Sequence, residues 1–161
     1  MKIAVFSDSH EDVHTMGEIV RIVNPDMVIH LGDHVADAEV LQKWFPDIPF
    51  EMVKGNTDDE TRHPSEKLIE IGDIRVFITH GDAYDAVLTR AVVDKALESN
   101  VQIVLHGHTH VAAISFEHGT VVMNPGSIRR FSTKSIASFG IIEIDGDDFS
   151  CRVLSASQLI N

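Results

Sequence analysis

Apolar positions along this chain fall into short runs separated by stretches with a helical period. Residues 3–6 are wholly apolar and predict a buried strand, and within residues 13–23 Met16, Ile19, Val20 and Val23 recur on one helix face. Asn24-Pro25-Asp26 ends that helix, because a residue before proline avoids helical geometry, and residues 27–31 predict a second strand. A second helix over 36–45 stops at Pro46 and Pro49, and a third strand covers 50–53. The opening third thus reads as βαβαβ, the signature of a parallel sheet.

The pattern then changes. Residues 68–71 and 74–78 flank Gly72-Asp73 and predict a hairpin. Val87, Leu88, Ala91 and Val92 mark one face of a third helix over 83–97, followed by a strand at 101–105. The remainder reads as strands at 113–116, 120–123, 136–144 and 149–154, with His118-Gly119 and Asp145-Gly146 as turns. A βαβ half and a hairpin half predict two sheets packed face to face with helices outside.

Composition limits the alternatives. A length of 161 residues fits one domain, 1–161, with a proper core and no room for a comparable second one. Twenty-five acidic residues against thirteen Lys and Arg give a net charge of −12, which disfavours a surface that tracks an extended nucleic-acid duplex. The single cysteine, Cys151, excludes an internal disulfide and any cysteine-based zinc motif. No apolar run reaches membrane-span length, and with a strand expected to begin at Lys2 no leader is expected ahead of it. The expected location is the cytoplasm, with no membrane partner; a homo-oligomer is left open.

Candidate chemistry gathers in five phrases: Asp8-Ser9-His10, Gly32-Asp33, Gly55-Asn56-Thr57-Asp58, Thr79-His80-Gly81 and Gly107-His108-Thr109-His110. Four of the five directly follow an apolar run, so a parallel sheet would deliver them to one edge, where open α/β folds place their sites. Asp8, His10, Asp33, Asn56, His80, His108 and His110 are seven metal-capable side chains, too many for one ion and suited to two. Asp8 and His10 share a face if the chain stays extended, and the glycine before Asp33 lets that carboxylate reach between two cations. Asp12 and His14 are also two apart but lie in the first helix, where such residues point in different directions. They are rejected as a chelate. His14, His30, His34, His63, His106 and His118 read as surface or hydrogen-bonded core residues, with His34 and His106 the best placed to support neighbouring ligands.

With these phrases in this order, the chain resembles the calcineurin-like metallophosphoesterase superfamily from end to end, and within it the small phosphodiesterases of archaea and bacteria. The resemblance implies a four-layer α/β/β/α sandwich of two mixed sheets flanked by helices. It implies two divalent ions, one held by Asp8, His10, Asp33 and His110, the other by Asp33, Asn56, His80 and His108. Manganese is the expected metal, with iron, zinc, nickel or cobalt as alternatives. The implied reaction is hydrolysis of a small or nucleotide-like phosphate diester by a hydroxide held between the cations, which also neutralise the phosphoryl oxygens. Asp33, Asn56 and Asp58 are the residues assigned to catalysis. For Asp58 two readings stand, a group that orients a histidine ligand and a solvated loop acid beside Asp59 and Glu60.

The wider superfamily reads Gly-Asn-His-Asp or Gly-Asn-His-Glu at the third phrase, where the histidine can protonate the leaving oxygen; Thr57 stands in its place here. Small phosphodiesterases resembling this chain often lack that histidine too. Asn124-Pro125-Gly126-Ser127 also matches the family and is expected near the metals, with Arg129, Arg130 and Lys134 available to a substrate phosphate or to a balanced acidic surface. Two rivals remain. One is a binding scaffold like the retromer subunit of this fold, which has altered motifs where this chain has complete ones. The other is a phosphomonoesterase or protein phosphatase, against which the residue at 57 counts.

Overall fold

In the computed structural model, residues 1–87, 94, 100–129 and 136–160 are described. Two five-stranded sheets are built from β1 (Lys2–Phe6), β2 (Met27–His30), β3 (Phe50–Met52), β4 (Glu66–Ile71), β5 (Ile74–Thr79), β6 (Ile103–Leu105), β7 (Ala113–Glu117), β8 (Thr120–Asn124), β9 (Ser138–Asp145) and β10 (Asp148–Ser155). The first sheet has the order β10-β9-β1-β2-β3 and the second β4-β5-β6-β8-β7. Each has three parallel strands: β1, β2 and β3 in one, β5, β6 and β8 in the other. Antiparallel strands complete both, β9 and β10 in the first and β4 and β7 in the second.

Alternation in the central strands explains their unbroken apolar sequence. Ile3 and Val5 of β1 join Ile29, Val76, Ile78, Ile103, Leu105 and Met123 in the layer between the sheets, whereas Ala4 and Phe6 face the other way, onto Met16, Ile19, Val20 and Leu41 of the helices. Both faces are buried, so neither can be polar. Helix α1 (Val13–Val23) starts where the Asp12 carboxylate accepts the Thr15 N–H at 3.1 Å and ends at Asn24, whose left-handed φ of 48° closes the last turn. Helix α2 (Val35–Trp44) lays its Trp44 ring against Gly17 of α1, a contact that a side chain at position 17 would push apart.

The expected elements appear with small shifts at their ends. Of the helix expected over 83–97, the described part is a 3-10 segment, Asp82–Val87, whose Tyr84 packs on Phe77, Val101, Val104 and Val122 of the second sheet's outer face. Apart from the helical Asp94, the rest of that helix lies outside the described residues. The strand expected from 136 begins at Ser138, and Ile136 is 69% exposed. A short 3-10 turn, Ala156–Gln158, follows β10 and carries a capping box between Ser155 and Gln158. No helix among the described residues is long and apolar enough to cross a membrane.

Candidate metal centre

The carboxyl ends of the parallel strands open into the five phrases, and the backbone there leaves the extended conformation at once. Asp8, His10, Asp33, His108 and His110 have φ values of 54°, 41°, 56°, 67° and 58°. Asp8 and His10 therefore do not converge as alternate residues of an extended chain; left-handed turns bring them together. Left-handed backbone at a non-glycine residue costs about 1–3 kcal/mol and persists only where its surroundings over-determine it.

Glycines permit the packing of these loops. A Cβ on Gly55 would collide with the Asp33 carboxylate, and one on Gly107 would collide with the Ser7 hydroxyl. Gly32, at φ 96°, has no room for a Cβ against the backbone of Gly55.

Asp8 is fully buried, and its two oxygens are treated differently. Oδ2 accepts from the Ser7 hydroxyl at 2.6 Å and from the His108 N–H at 3.2 Å. Oδ1 receives no aligned hydrogen bond among the described residues, although His110 Nε2 lies 3.1 Å away and His80 Nε2 3.9 Å. A buried carboxylate oxygen left facing imidazoles is what a cation would satisfy. One ligand atom from each of Asp8, His10, Asp33 and His110 lies within 4.8 Å of the others.

Asp33 joins this group to a second. Its Oδ2 faces His10 Nε2 at 3.8 Å, while Oδ1 faces His80 Nε2 at 3.4 Å and accepts the Thr57 N–H at 3.1 Å. His80 Nδ1 donates to the Leu31 carbonyl at 2.8 Å, which leaves the Nε2 lone pair facing the site. Asn56 Oδ1 lies 3.2 Å from that nitrogen and 3.0 Å from His108 Nδ1. Acceptor atoms converging at such distances repel unless a proton or a metal ion lies between them, so this donor set also fits a cation. All seven predicted ligands thus meet in one place.

Burial would raise the Asp8 carboxyl, but the adjoining His110, the nearby His80 and the Ser7 hydroxyl outweigh it and hold the group below its ordinary value. Its contact with Asp8 shifts His110 the opposite way, upward.

The remaining candidates support the loops. Asp58, half-buried, spends both oxygens on backbone amides, Oδ1 on Val35 at 2.8 Å and Oδ2 on Gly55 at 2.9 Å, so it ties the third phrase to the start of α2, and among the described residues it bonds to no histidine. His34 packs its ring, tilted by 57°, with its centroid 4.9 Å from that of His10. Asn124 donates to the Gly107 carbonyl at 2.9 Å and the Thr109 hydroxyl at 3.0 Å, and its amide also meets His106 Nδ1 at 3.3 Å. Ser127 donates to the Asp8 carbonyl at 2.8 Å, and the Arg129 guanidinium to the His10 carbonyl at 2.6 Å. Arg129 therefore clamps the first phrase; Arg130 and Lys134 lie outside the described residues. Asp12 caps α1 and His14 packs on Trp44, which removes that pair from the site. His63 pairs with Glu39 at 3.0 Å on the surface, and His118 takes a left-handed φ in the β7–β8 turn.

Three buried residues had no reading as site residues in the sequence: Ser9, Asp37 and His30. The Gly32 N–H donates to His30 Nδ1 at 3.2 Å, His30 Nε2 meets the Ser9 hydroxyl at 3.2 Å, and that hydroxyl meets Asp37 Oδ2 at 2.7 Å. Burial pushes the His30 imidazole down to about 4. The one signal available in the sequence is a histidine inside an otherwise apolar strand.

Two mixed sheets with ligand-bearing loops at their parallel strand ends define a metal-binding α/β sandwich. The calcineurin-like phosphoesterase superfamily domain matches residues 1–147, and the chain belongs to that family. A phosphodiesterase of Methanocaldococcus jannaschii is 28% identical over 96% of this chain and 99% of its own length. The crystal structure of a predicted phosphoesterase from Streptococcus pneumoniae is 29% identical and superposes with a TM-score of 0.77 over 97% of this chain and 90% of that one. Vps29 of Chaetomium thermophilum, at 18% identity, shares the fold with a TM-score of 0.79 over 96% of this chain and 88% of its own.

Proposed function

We propose that this chain is a metal-dependent phosphodiesterase that hydrolyses small or nucleotide-like phosphate diesters in the cytoplasm. Asp8, His10, Asp33 and His110 would hold one divalent ion, and Asp33, Asn56, His80 and His108 a second, with manganese the expected metal. The observation that carries this reading is Asp33, whose Oδ2 faces His10 and whose Oδ1 faces His80. The phosphodiesterase relative supports a diester over a monoester.

When bound, two such ions neutralise the phosphoryl oxygens and activate a water for in-line attack. The chain's own part is to place the ligands. Ser7 and the His108 N–H fix the rotation of Asp8, and the Leu31 carbonyl fixes the His80 tautomer so that Nε2 accepts. Thr57 offers no imidazole beside Asn56, so the leaving oxygen gains no proton from position 57.

The test is turnover of aryl diesters, nucleotide diesters and matched monoesters by chelator-stripped protein, before and after adding manganese, iron, zinc, nickel or cobalt. Diester turnover restored by manganese is the expected result. Full activity in protein shown metal-free by elemental analysis, a preference for monoesters, or no turnover with any metal overturns the reading; the last favours a scaffold role.

A further inference from the structure

His30, Ser9 and Asp37 form a chain of hydrogen bonds whose direction is determined throughout. The Gly32 N–H donates to His30 Nδ1, so that nitrogen is the acceptor and the ring proton sits on Nε2. Nε2 then donates to the Ser9 oxygen, and the Ser9 hydroxyl proton goes to Asp37 Oδ2 at 2.7 Å. Asp37 Oδ2 also accepts the Glu11 N–H at 2.7 Å. Ser9 and His30 are fully buried and Asp37 is 8% exposed, so water does not compete for these bonds.

The chain ties together the loops that need restraint. Ser9 lies between Asp8 and His10, and its oxygen packs 3.4 Å from the carbonyls of Asp33 and His34. His30 grips Gly32 next to Asp33, and Asp37 holds Glu11 next to His10. Asp8, His10, Glu11, Asp33 and His34 all have left-handed backbones. Removing one link would release strain that now aims three carboxylate and imidazole groups at one point. Neither Ser9 nor His30 nor Asp37 contributes an atom to the ligand group itself.

We propose that the His30–Ser9–Asp37 chain is the positioning device for the Asp8, His10, Asp33 and His110 group, setting metal affinity and turnover without touching ion or substrate. This rests on the reading of that group as a metal site.

The test is titration of Mn²⁺ into metal-stripped protein by calorimetry, alongside kcat and KM for a nitrophenyl diester. Ser9→Ala and Asp37→Ala should each weaken Mn²⁺ binding about 10–100-fold, the range typical of groups that orient metal ligands, and lower kcat with little change in KM. Asp37→Asn keeps an acceptor oxygen for Ser9 and Glu11 and should bind within about threefold of wild type. Ser9→Cys replaces the hydroxyl with a slightly larger and weaker donor, and should bind Mn²⁺ less tightly than wild type but keep part of the affinity, whether or not the alanine variant folds. Wild-type affinity in both Ser9 variants, or loss of affinity in Asp37→Asn equal to that in Asp37→Ala, overturns the proposal. Wild-type protein that binds Mn²⁺ but hydrolyses no diester overturns the phosphodiesterase reading alone; wild-type protein that binds no ion overturns both.

Discussion

Asp8 and His110 meet at 3.1 Å, Oδ1 to Nε2, although one follows the first strand of the first sheet and the other follows β6 of the second. The two sheets must pack before either residue has its neighbour. The candidate centre is therefore a property of the sandwich, and its ligands should weaken together when packing is disturbed.

In the proposed centre Asp33 is common to both groups, so Asp33→Asn should reduce turnover more than Asn56→Ala. The first change weakens both groups at once, and its expected cost is about a thousandfold or more, as for loss of a central electrostatic group. Asn56 supplies one neutral oxygen. Steady-state rates at saturating manganese check the order, and equal mild losses would contradict a bridging Asp33.

Position 57 should govern leaving-group preference. Its backbone N–H is held by Asp33 Oδ1 at 3.1 Å and its side chain is exposed beside Asn56. Without an acid there, aryl diesters should be hydrolysed faster than alkyl diesters. Thr57→His should favour poor leaving groups selectively, within the about 10²–10⁴-fold that general acid catalysis supplies. Turnover plotted against leaving-group pKa for both proteins gives the answer; a flat wild-type plot with chemistry rate-limiting would show that another group donates the proton.

Asp58 should matter to stability as much as to activity. Asp58→Ala strands the Val35 and Gly55 N–H groups, at a cost of about 2–3 kcal/mol, whereas Asp58→Asn keeps one acceptor and should recover about half. Urea denaturation of the metal-stripped proteins measures this directly.

His30 predicts acid sensitivity of folding. Its folded pKa, about 4, lies below the ordinary histidine value of 6.5, so between those values the unfolded chain binds a proton that the native state refuses. Stability is then fully present above 6.5 and falls as pH drops toward 4, by about 3 kcal/mol from this group alone. Denaturation of the metal-stripped protein from about pH 7 to about pH 5 should show a slope that His30→Gln reduces. An unchanged slope would mean that His30 does not resist protonation.

Much of the fold was legible because burial on both faces forces apolar runs, as in β1 and β2, and because Pro25, Pro46 and Pro49 punctuate them. Strand ends shifted where pairing, which a run of apolar letters does not encode, set the limit; Ile136 is apolar but stands outside β9 and exposed.

The sequence by itself determined the candidate ligand set: seven side chains of the right chemistry, four of the five phrases at strand ends, and glycines where loops must touch. Only the tertiary structure decided how those side chains converge. Asp8 and His10 share a face through left-handed turns, not through strand alternation, because the Gly32 and Ser127 contacts hold a backbone that an isolated segment would relax. Asp58, with the composition of a solvated acid, became a clamp once Val35 and Gly55 offered it two amides, and His30, with the composition of core, became the head of a directed hydrogen-bond chain. Local pattern reports burial and period; the partner of a buried polar group is set by packing between distant segments, which no local pattern carries.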